Sequence, residues 1–355
     1  MDLALYDSEF GYYARAAQRS GRAGDFFTSV DVGPIFGELL AIQIAEMATI
    51  LEPRATSPAP RFDFVEAAAG NGRLSADILR AIKRRDRRLY DRLRLHLVEV
   101  SAEARQAQRE SLGDVHERLA SSSADLPQAF EGALVANELL DAFPTHQVVM
   151  REGGLREVYV DVDHNRLMTT EGPPSTPALA EYLARLNVAL EPGWRVEINL
   201  RAVDWMRSAV RSLRRGFIIL IDYGHLAREL YSVTHATGTL TTFSRHTMAG
   251  PERPIEQPAW LERPGEQDIT THVDFTSIQH AAEDEGATTI GLLDQTYFLL
   301  GLGAAELDAS DLKTRLALKT LLMPGGLGST LKVLILGKNV GAPALRGCSF
   351  RVRLT

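Results

Sequence analysis

FDFVEAAAGNGRL, residues 62–74, reads as a strand, then a bend almost free of side chains, then the start of a helix near Arg73. Phe62, Phe64 and Val65 are the aromatic and β-branched types that a buried strand favours. Ala67, Ala68, Ala69, Gly70 and Gly72 leave the bend bare, so a ligand can reach the backbone there. The helix that follows offers unpaired N–H groups at its first turn. This is the opening of a doubly wound, Rossmann-like α/β sheet, whose ligand sits beyond the carboxyl ends of the strands.

The bend does not match a dinucleotide site. That fingerprint is G-x-G-x-x-G with an acid about 20 residues on. Here Gly70 and Gly72 have no third glycine at the right offset, which disfavours an NAD-dependent oxidoreductase. The next strand, Leu93–Val100, carries Glu99 at its end, about 30 residues beyond the bend rather than about 20. An acid before the bend, Glu66, and an acid closing the second strand look more like an S-adenosylmethionine (SAM) methyltransferase. By that analogy Glu66 lies near the methionine part, and Glu99 takes the ribose hydroxyls. A purely structural turn is the alternative.

The chain has 355 residues, enough for one large α/β domain with elaborations or for two modest ones. Its net charge of −7 argues against broad nucleic-acid binding. The basic run KRRDRR, 83–88, reads as the solvated face of a helix. The only cysteine, Cys348, rules out a disulfide within the chain and a multi-thiolate metal centre, so no metal site is expected and a reducing compartment fits. No apolar run approaches the ~18 residues of a membrane span. The opening MDLALYDSEFGYY has neither signal-peptide nor transit-peptide character and starts abruptly, as a truncated N-terminus would.

Taken in order, residues 1–60 read as an N-terminal helical cap. Its amphipathic helix runs from about Phe36 to Leu51. Thr28, Ser29 and Asp31 precede that helix and either cap it or face the cofactor pocket. Residues 52–61 form a Pro-rich connector. Residues 61–150 hold the first half of the sheet. In it a crossover helix covers Leu74–Ile82, and His96 is read as a satisfied residue of the second strand. Another helix covers Ser101–Leu112 with Ser101 as cap, and a weakly marked third strand lies within 113–125. Asp125 after it either holds an adenine amino group or forms a turn. The fourth strand, Ala133–Ala136, ends in Asn137, Glu138 and Asp141, where substrate chemistry occurs in such sheets.

Residues 151–215 read as an insertion. A hairpin turns at Glu152-Gly153-Gly154 between Gln147–Arg151 and Arg156–Val162, and helices follow near Ala178–Ala189 and Ala202–Leu213. Residues 216–340 complete the sheet. The apolar strand Gly216–Ile221 closes on Asp222, Tyr223, Gly224 and His225, and Asp222 serves either the site or the turn. The long loop 231–267 is a substrate lid or disordered. Thr271 or Asp274 caps a later helix, Gly291–Leu302 reads as helix, and Leu331–Leu336 is the last strand after the turn Pro324–Gly328. The tail, 341–355, is expected to fray. All of this is expected to form one structural domain.

The order of these motifs resembles the MidA family of class I SAM-dependent methyltransferases. Its mitochondrial members are complex I assembly factors that methylate an arginine of a complex I subunit. The resemblance runs through LYDSEFGYY, GDFFTS, FGELLA, EAAAGNGRLSADILR, LVEVS, ANELLDAFPTHQ, IDYGH, the Asp268–Phe275 segment, DQTYFLLGLG and MPGGLGSTLKVLILGK. Where the family has its first turn glycine this chain has Ala68, and Ala69 replaces the usual proline. Leu327 replaces a common methionine, and the family's N-terminal helix is largely absent.

The resemblance implies SAM as cofactor and a protein substrate such as a respiratory-complex subunit, with no nucleic acid and no membrane insertion; a homodimer is left open. It implies the bacterial cytoplasm, or a mitochondrial matrix if the chain is eukaryotic. Residues 137–143 also look like the Glu-Leu-Leu segment of symmetric arginine methyltransferases, so Glu138 is expected to grip a guanidinium through charge-assisted bonds. The second glutamate of those enzymes has no counterpart here, and Asp141 or Asp222 would take its place. Asn137 would hold the methionine part or the substrate backbone, and His225 and His246 are candidate proton acceptors. The alternatives are a small-molecule O- or N-methyltransferase and a SAM-binding assembly factor with little catalysis.

Overall fold

The computed structural model describes residues 1–14, 28–52, 61–244, 247–251, 258–323 and 327–350. Four strands open the main sheet: β1 (Phe62–Ala67), β2 (Leu93–Val98), β3 (Leu119–Ser123) and β4 (Phe130–Asn137). A smaller sheet follows with β5 (His146–Arg151), β6 (Gly154–Asp163), β7 (Arg166–Gly172) and β8 (Arg195–Ile198). The chain then forms β9 (Leu213–His225), β10 (Thr241–Ser244), β11 (Thr247–Ala249), β12 (Asp268–Thr270), β13 (Val273–Asp274), β14 (Thr288–Asp294) and β15 (Leu331–Lys338).

The main sheet runs β14-β15-β9-β4-β1-β2-β3, and β13 adds to β9. β3, β2, β1, β4 and β9 are mutually parallel, whereas β15 is antiparallel to both β9 and β14. Strand order reverses between β1 and β4, which opens a crevice at their carboxyl ends. The register Ala67↔Ala136 puts Glu66 and Asn137 at the adjacent carboxyl ends of β1 and β4.

β1 shows why the sheet is covered on both faces. Phe62 and Phe64 point into one core with helices Pro34–Leu51 and Arg73–Arg85. Val65 and Ala67 point into the other, with helices Ala178–Arg185, Leu200–Ser212 and Phe275–Asp284. Alternation with period two on a strand apolar on both sides demands two helical layers. The helix Pro34–Leu51 is 18 residues long with mean hydropathy 1.5, long and apolar enough to cross a membrane. Its Phe36, Leu40, Ile44 and Met47 are buried in this core instead.

Several elements depart from the sequence reading. Thr28 and Asp31 do not cap the long helix, whose N-cap is Gly33; they close the short 3-10 turn Ser29–Val32 before it. The small sheet, ordered β7-β6-β5-β8, starts at His146, so residue 151 falls at the end of its first strand. β7 and β8 carried no turn signal strong enough to be read. The helix Leu200–Ser212 packs against helix Phe275–Asp284 of the main layers. The loop 231–267 contributes β10 and β11 to a three-stranded sheet with β12. Gly291–Leu302 opens as strand: β14 runs to Asp294, and only Gln295–Gly301 is helical. Beyond β15 the tail docks. Leu345 and Cys348 are buried, and Gln43 Oε1 accepts the Gly347 N–H at 3.0 Å. The connector 53–60, His246, most of the turn at 324–328 and the last residues of the tail lie outside the described residues.

His96 is satisfied within the sheet, with Ser121 Oγ 2.8 Å from Nδ1 and Asp63 Oδ1 3.3 Å from Nε2. Arg80 and Lys83 pair with Asp114, and Arg84 pairs with Glu38, so the basic run is a salt-bridged surface.

Candidate active site

The bend after β1 holds three departures from ordinary backbone, at alternate residues. Ala68, Gly70 and Gly72 all lie in the left-handed region, at φ 57, 51 and 83°. Gly72 is the N-cap of helix Arg73–Arg85, and a Cβ there would sit 3.2 Å from Leu97 Cδ1. Ala68 has the same backbone with a methyl attached, a cost of about 1 kcal/mol. Around Gly70 there is open space for a ligand. The Gly70 N–H donates to Glu99 Oε2 at 2.8 Å, and the Ser101 N–H donates to Glu99 Oε1 at 2.8 Å. Gln108 Nε2 donates to the Gly70 carbonyl at 2.8 Å and is itself held by Ser122. Glu99 is thus oriented at the end of β2 by two backbone donors.

Glu66 is 4% exposed and accepts from the Ser75 N–H at 3.1 Å and from the Ser75 hydroxyl. Burial pushes its carboxyl up to about 8, against those two bonds. Asp125 is exposed, and its carbonyl accepts the Ser123 hydroxyl at 2.6 Å.

Across the crevice, β4 ends in a second strained point, Glu138 at φ 52°. Asp222 on β9 imposes it. Its Oδ2 accepts the Leu139 and Leu140 N–H groups at 3.1 and 2.8 Å, while Oδ1 accepts the Tyr223 N–H at 2.8 Å. Asp222 therefore lies within β9 and fastens the loop that carries Glu138; it does not cap a turn after the strand. Asn137 Nδ2 donates to Glu138 Oε1 at 3.1 Å, and the Ser29 backbone lies near enough to favour the charged form of that carboxyl. Ser29 also donates its hydroxyl to Gln295 Oε1 at 3.1 Å. Thr28 donates its hydroxyl to Asp31 at 3.0 Å, and Asp31 pairs with Arg73. The N-terminal cap thus reaches the site through Ser29, whereas Thr28 turns toward Asp31.

Glu138, Asp141 and Asp222 form a buried acidic group. Burial and the neighbouring Asp222 charge push Glu138 up to about 8. Burial, then Asp222 and Glu138, drive Asp141 well above the carboxylate range. Burial pushes Asp222 up to about 7 even though four backbone N–H groups hold it down. Among the described residues no lysine or arginine pairs with any of the three. Asp268 adds a fourth charge near Asp141 and accepts the Tyr13 hydroxyl at 2.8 Å, while the Tyr6 hydroxyl binds the Ala142 carbonyl at 3.0 Å. Tyr6 and Tyr13 come from the opening segment, and the sequence reading gave them no role although they sit in a quoted motif. Ser75 and Gln108 were also missed, and Ser101 was read only as a helix cap, since nothing local marks a residue as a partner of a distant acid. His225 lies beside His235 and His272.

Residues 39–293, well over half the chain, match the model of a family described as "Putative S-adenosyl-L-methionine-dependent methyltransferase". The chain belongs to that methyltransferase family. Among curated relatives it is similar to the mitochondrial protein arginine methyltransferase NDUFAF7 homolog of Drosophila melanogaster, at 28% identity over 87% of this chain and 71% of that protein. The human NDUFAF7 is 29% identical over 85% of this chain and 68% of its own length. Among solved structures, one from Burkholderia thailandensis bound to S-adenosyl-homocysteine is 31% identical, covers 98% of this chain and 89% of its own, and superposes with a TM-score of 0.85.

This methyltransferase uses SAM, and the crevice residues fit that molecule. They present acceptors: Glu66, Glu99 and the side-chain carbonyl of Asn137. Asn137 Oδ1 is buried without a partner, a vacancy that a donor such as the ligand ammonium would fill. A sulfonium with an ammonium and ribose hydroxyls brings positive charge and donors to such a set.

Proposed function

We propose that this methyltransferase methylates an arginine side chain of a protein substrate. The observation that carries the reading is the buried Glu138–Asp141–Asp222 group, in which raised carboxyls have no cationic partner among the described residues. A guanidinium supplies the missing charge, stays protonated in water, and donates parallel N–H bonds to carboxylates. The relatives' names, protein arginine methyltransferase, agree with it.

In this reading Glu66, Gly70, Gly72, Glu99 and Asn137 hold the cofactor, with Ala68 and Ser29 lining its approach. When bound, the cofactor supplies an electrophilic methyl on a sulfonium, whose sulfur keeps the bonding electrons as a neutral thioether. Glu138 accepts guanidinium N–H bonds and aims one nitrogen at the methyl. Asp141 shares the charge. Asp222, committed to the loop backbone, positions Glu138 rather than touching substrate. Once the new N–C bond forms, the nitrogen must shed a proton, and Glu138, with its carboxyl pushed up to about 8, accepts it. Positioning does most of the work, since the leaving group is built into the cofactor. We assign the chain to the bacterial cytoplasm.

The test is transfer from labelled SAM into a host lysate, resolved by size and followed by mass spectrometry of the labelled protein. Label on an arginine of a protein band supports the reading. Label only on small molecules replaces it with metabolite methylation. No label, with SAM bound in a titration, replaces it with an assembly role.

A further inference from the structure

Three imidazoles meet at the edge of the site, and the mechanism uses none of them. His225 ends β9, His235 ends the 3-10 turn Val233–His235, and His272 lies between β12 and β13. Their ring centroids are 4.7, 5.1 and 6.0 Å apart. One ring nitrogen from each falls within 4.8 Å of the other two. The sequence carried no expectation of a metal here, because the three residues are spread over 48 positions and converge only through the sheet (272 less 225 is 47, counted inclusively).

The surroundings prepare the rings as ligands. His235 Nδ1 lies 3.0 Å from the Glu229 carbonyl, so it carries the proton and leaves the Nε2 lone pair free; Thr234 Oγ1 stands 3.3 Å from the same Nδ1. A backbone carbonyl on the remote nitrogen is the usual arrangement of a metal-bound histidine. His272 Nδ1 is buried without a hydrogen bond. Its backbone is fixed by the bond from its N–H to Thr239 Oγ1 at 3.0 Å. His225 is fixed by strand pairing opposite Asp274. Its Nδ1 stands 3.0 Å from Glu229 Oε1 yet makes no hydrogen bond there. Packed together, the three rings leave His225 Nδ1 and His272 Nδ1 buried without a hydrogen-bond partner. A cation among them satisfies all three.

We propose that His225, His235 and His272 bind one divalent transition-metal ion, zinc best, with Glu229 or a water in the fourth position. Zinc takes tetrahedral nitrogen and oxygen donors, which stand about 3.3–3.4 Å apart at bond lengths of about 2.0–2.1 Å. Rotation of His235, which sits on a single turn, closes the remaining gap. The ion ties the segment after β9 to the strand that carries Asp222, three residues before His225. Its role is to hold the edge of the crevice, and the methyl-transfer step does not pass through it.

The test uses the untagged full chain, stripped with a chelator, reloaded with Zn²⁺ and desalted. Elemental analysis is expected to find one zinc per chain, and Zn²⁺ is expected to raise the Tm. Co²⁺ is expected to give the visible absorption of a four-coordinate site. His235→Ala and His272→Ala are each expected to weaken binding at least tenfold while far-UV circular dichroism stays unchanged. His96→Ala, a sheet histidine remote from the cluster, is expected to bind as the wild type. No zinc retained, or retention unaltered in both cluster variants, overturns the proposal.

Discussion

Replacing Glu66 by glutamine removes a buried acid and keeps an acceptor for Ser75. Glu66 is 4% exposed, and its carboxyl titrates at about 8 in the folded protein against 4.5 for a free glutamate. The folded protein therefore binds this proton more tightly than the unfolded chain does. Its contribution to stability is fully present below pH 4.5 and is lost as pH rises through about 8. At about 1.4 kcal/mol per pH unit, the whole span costs on the order of 5 kcal/mol, and the part between pH 5.5 and 7.5 costs about 3 kcal/mol. Glu138 and Asp222 drift in the same direction over that window. Asp63, held low by His96 and Arg94 against its burial, completes its titration below it. Urea unfolding of the cofactor-free protein across this window measures the slope directly. The Glu66→Gln variant is expected to lose about 3 kcal/mol less than the wild type over those two pH units, with an unchanged m-value. Equal slopes would refute the reasoning, because they would mean that Glu66 is already ionised in the native state. A cation bound in the crevice favours the carboxylate, so saturating SAM should also flatten the wild-type slope.

Glu138→Gln removes two charge-assisted bonds to a guanidinium at ~1.5–3 kcal/mol each, so kcat/KM should fall by roughly 10²–10⁴ while the Kd for SAM changes little. A normal rate of methyl transfer in that variant ends the carboxylate-grip reading. For the wild type, kcat/KM should rise with pH toward about 8 as Glu138 ionises, and a flat profile between about pH 6 and 9 would contradict that. Asp222→Asn turns one acceptor oxygen into a donor facing the N–H groups of Leu139, Leu140 or Tyr223, which should cost about 1–3 kcal/mol and lower the Tm. An unchanged Tm would show that the loop does not depend on it. Ala68→Gly relieves a left-handed alanine by about 1 kcal/mol and spends a similar amount in chain entropy, so stability should move by less than about 0.5 kcal/mol. Its titration with SAM should show tighter binding, since a methyl leaves the bend; weaker binding counts against the cradle.

What residues 62–74 determined by themselves was the strand, the bend and the helix that begins at Arg73, because burial on both faces and a run of small side chains are written in neighbouring positions. Ser101 as a helix cap and the apolar run into Asp222 were legible for the same reason. The sequence did not show that β14 is strand as far as Asp294. Gly291–Asp294 becomes strand because it pairs with β15, a partner some forty residues away. Nor did it show that Asp222 grips the loop of Glu138, that Ser29 crosses from the cap to stand near that carboxylate, or that three histidines converge. Each of those depends on strand register and layer packing, which bring together groups far apart in the chain. Local side-chain pattern decides which segments become strand or helix, but only the order and offset of the strands decide which charges become neighbours.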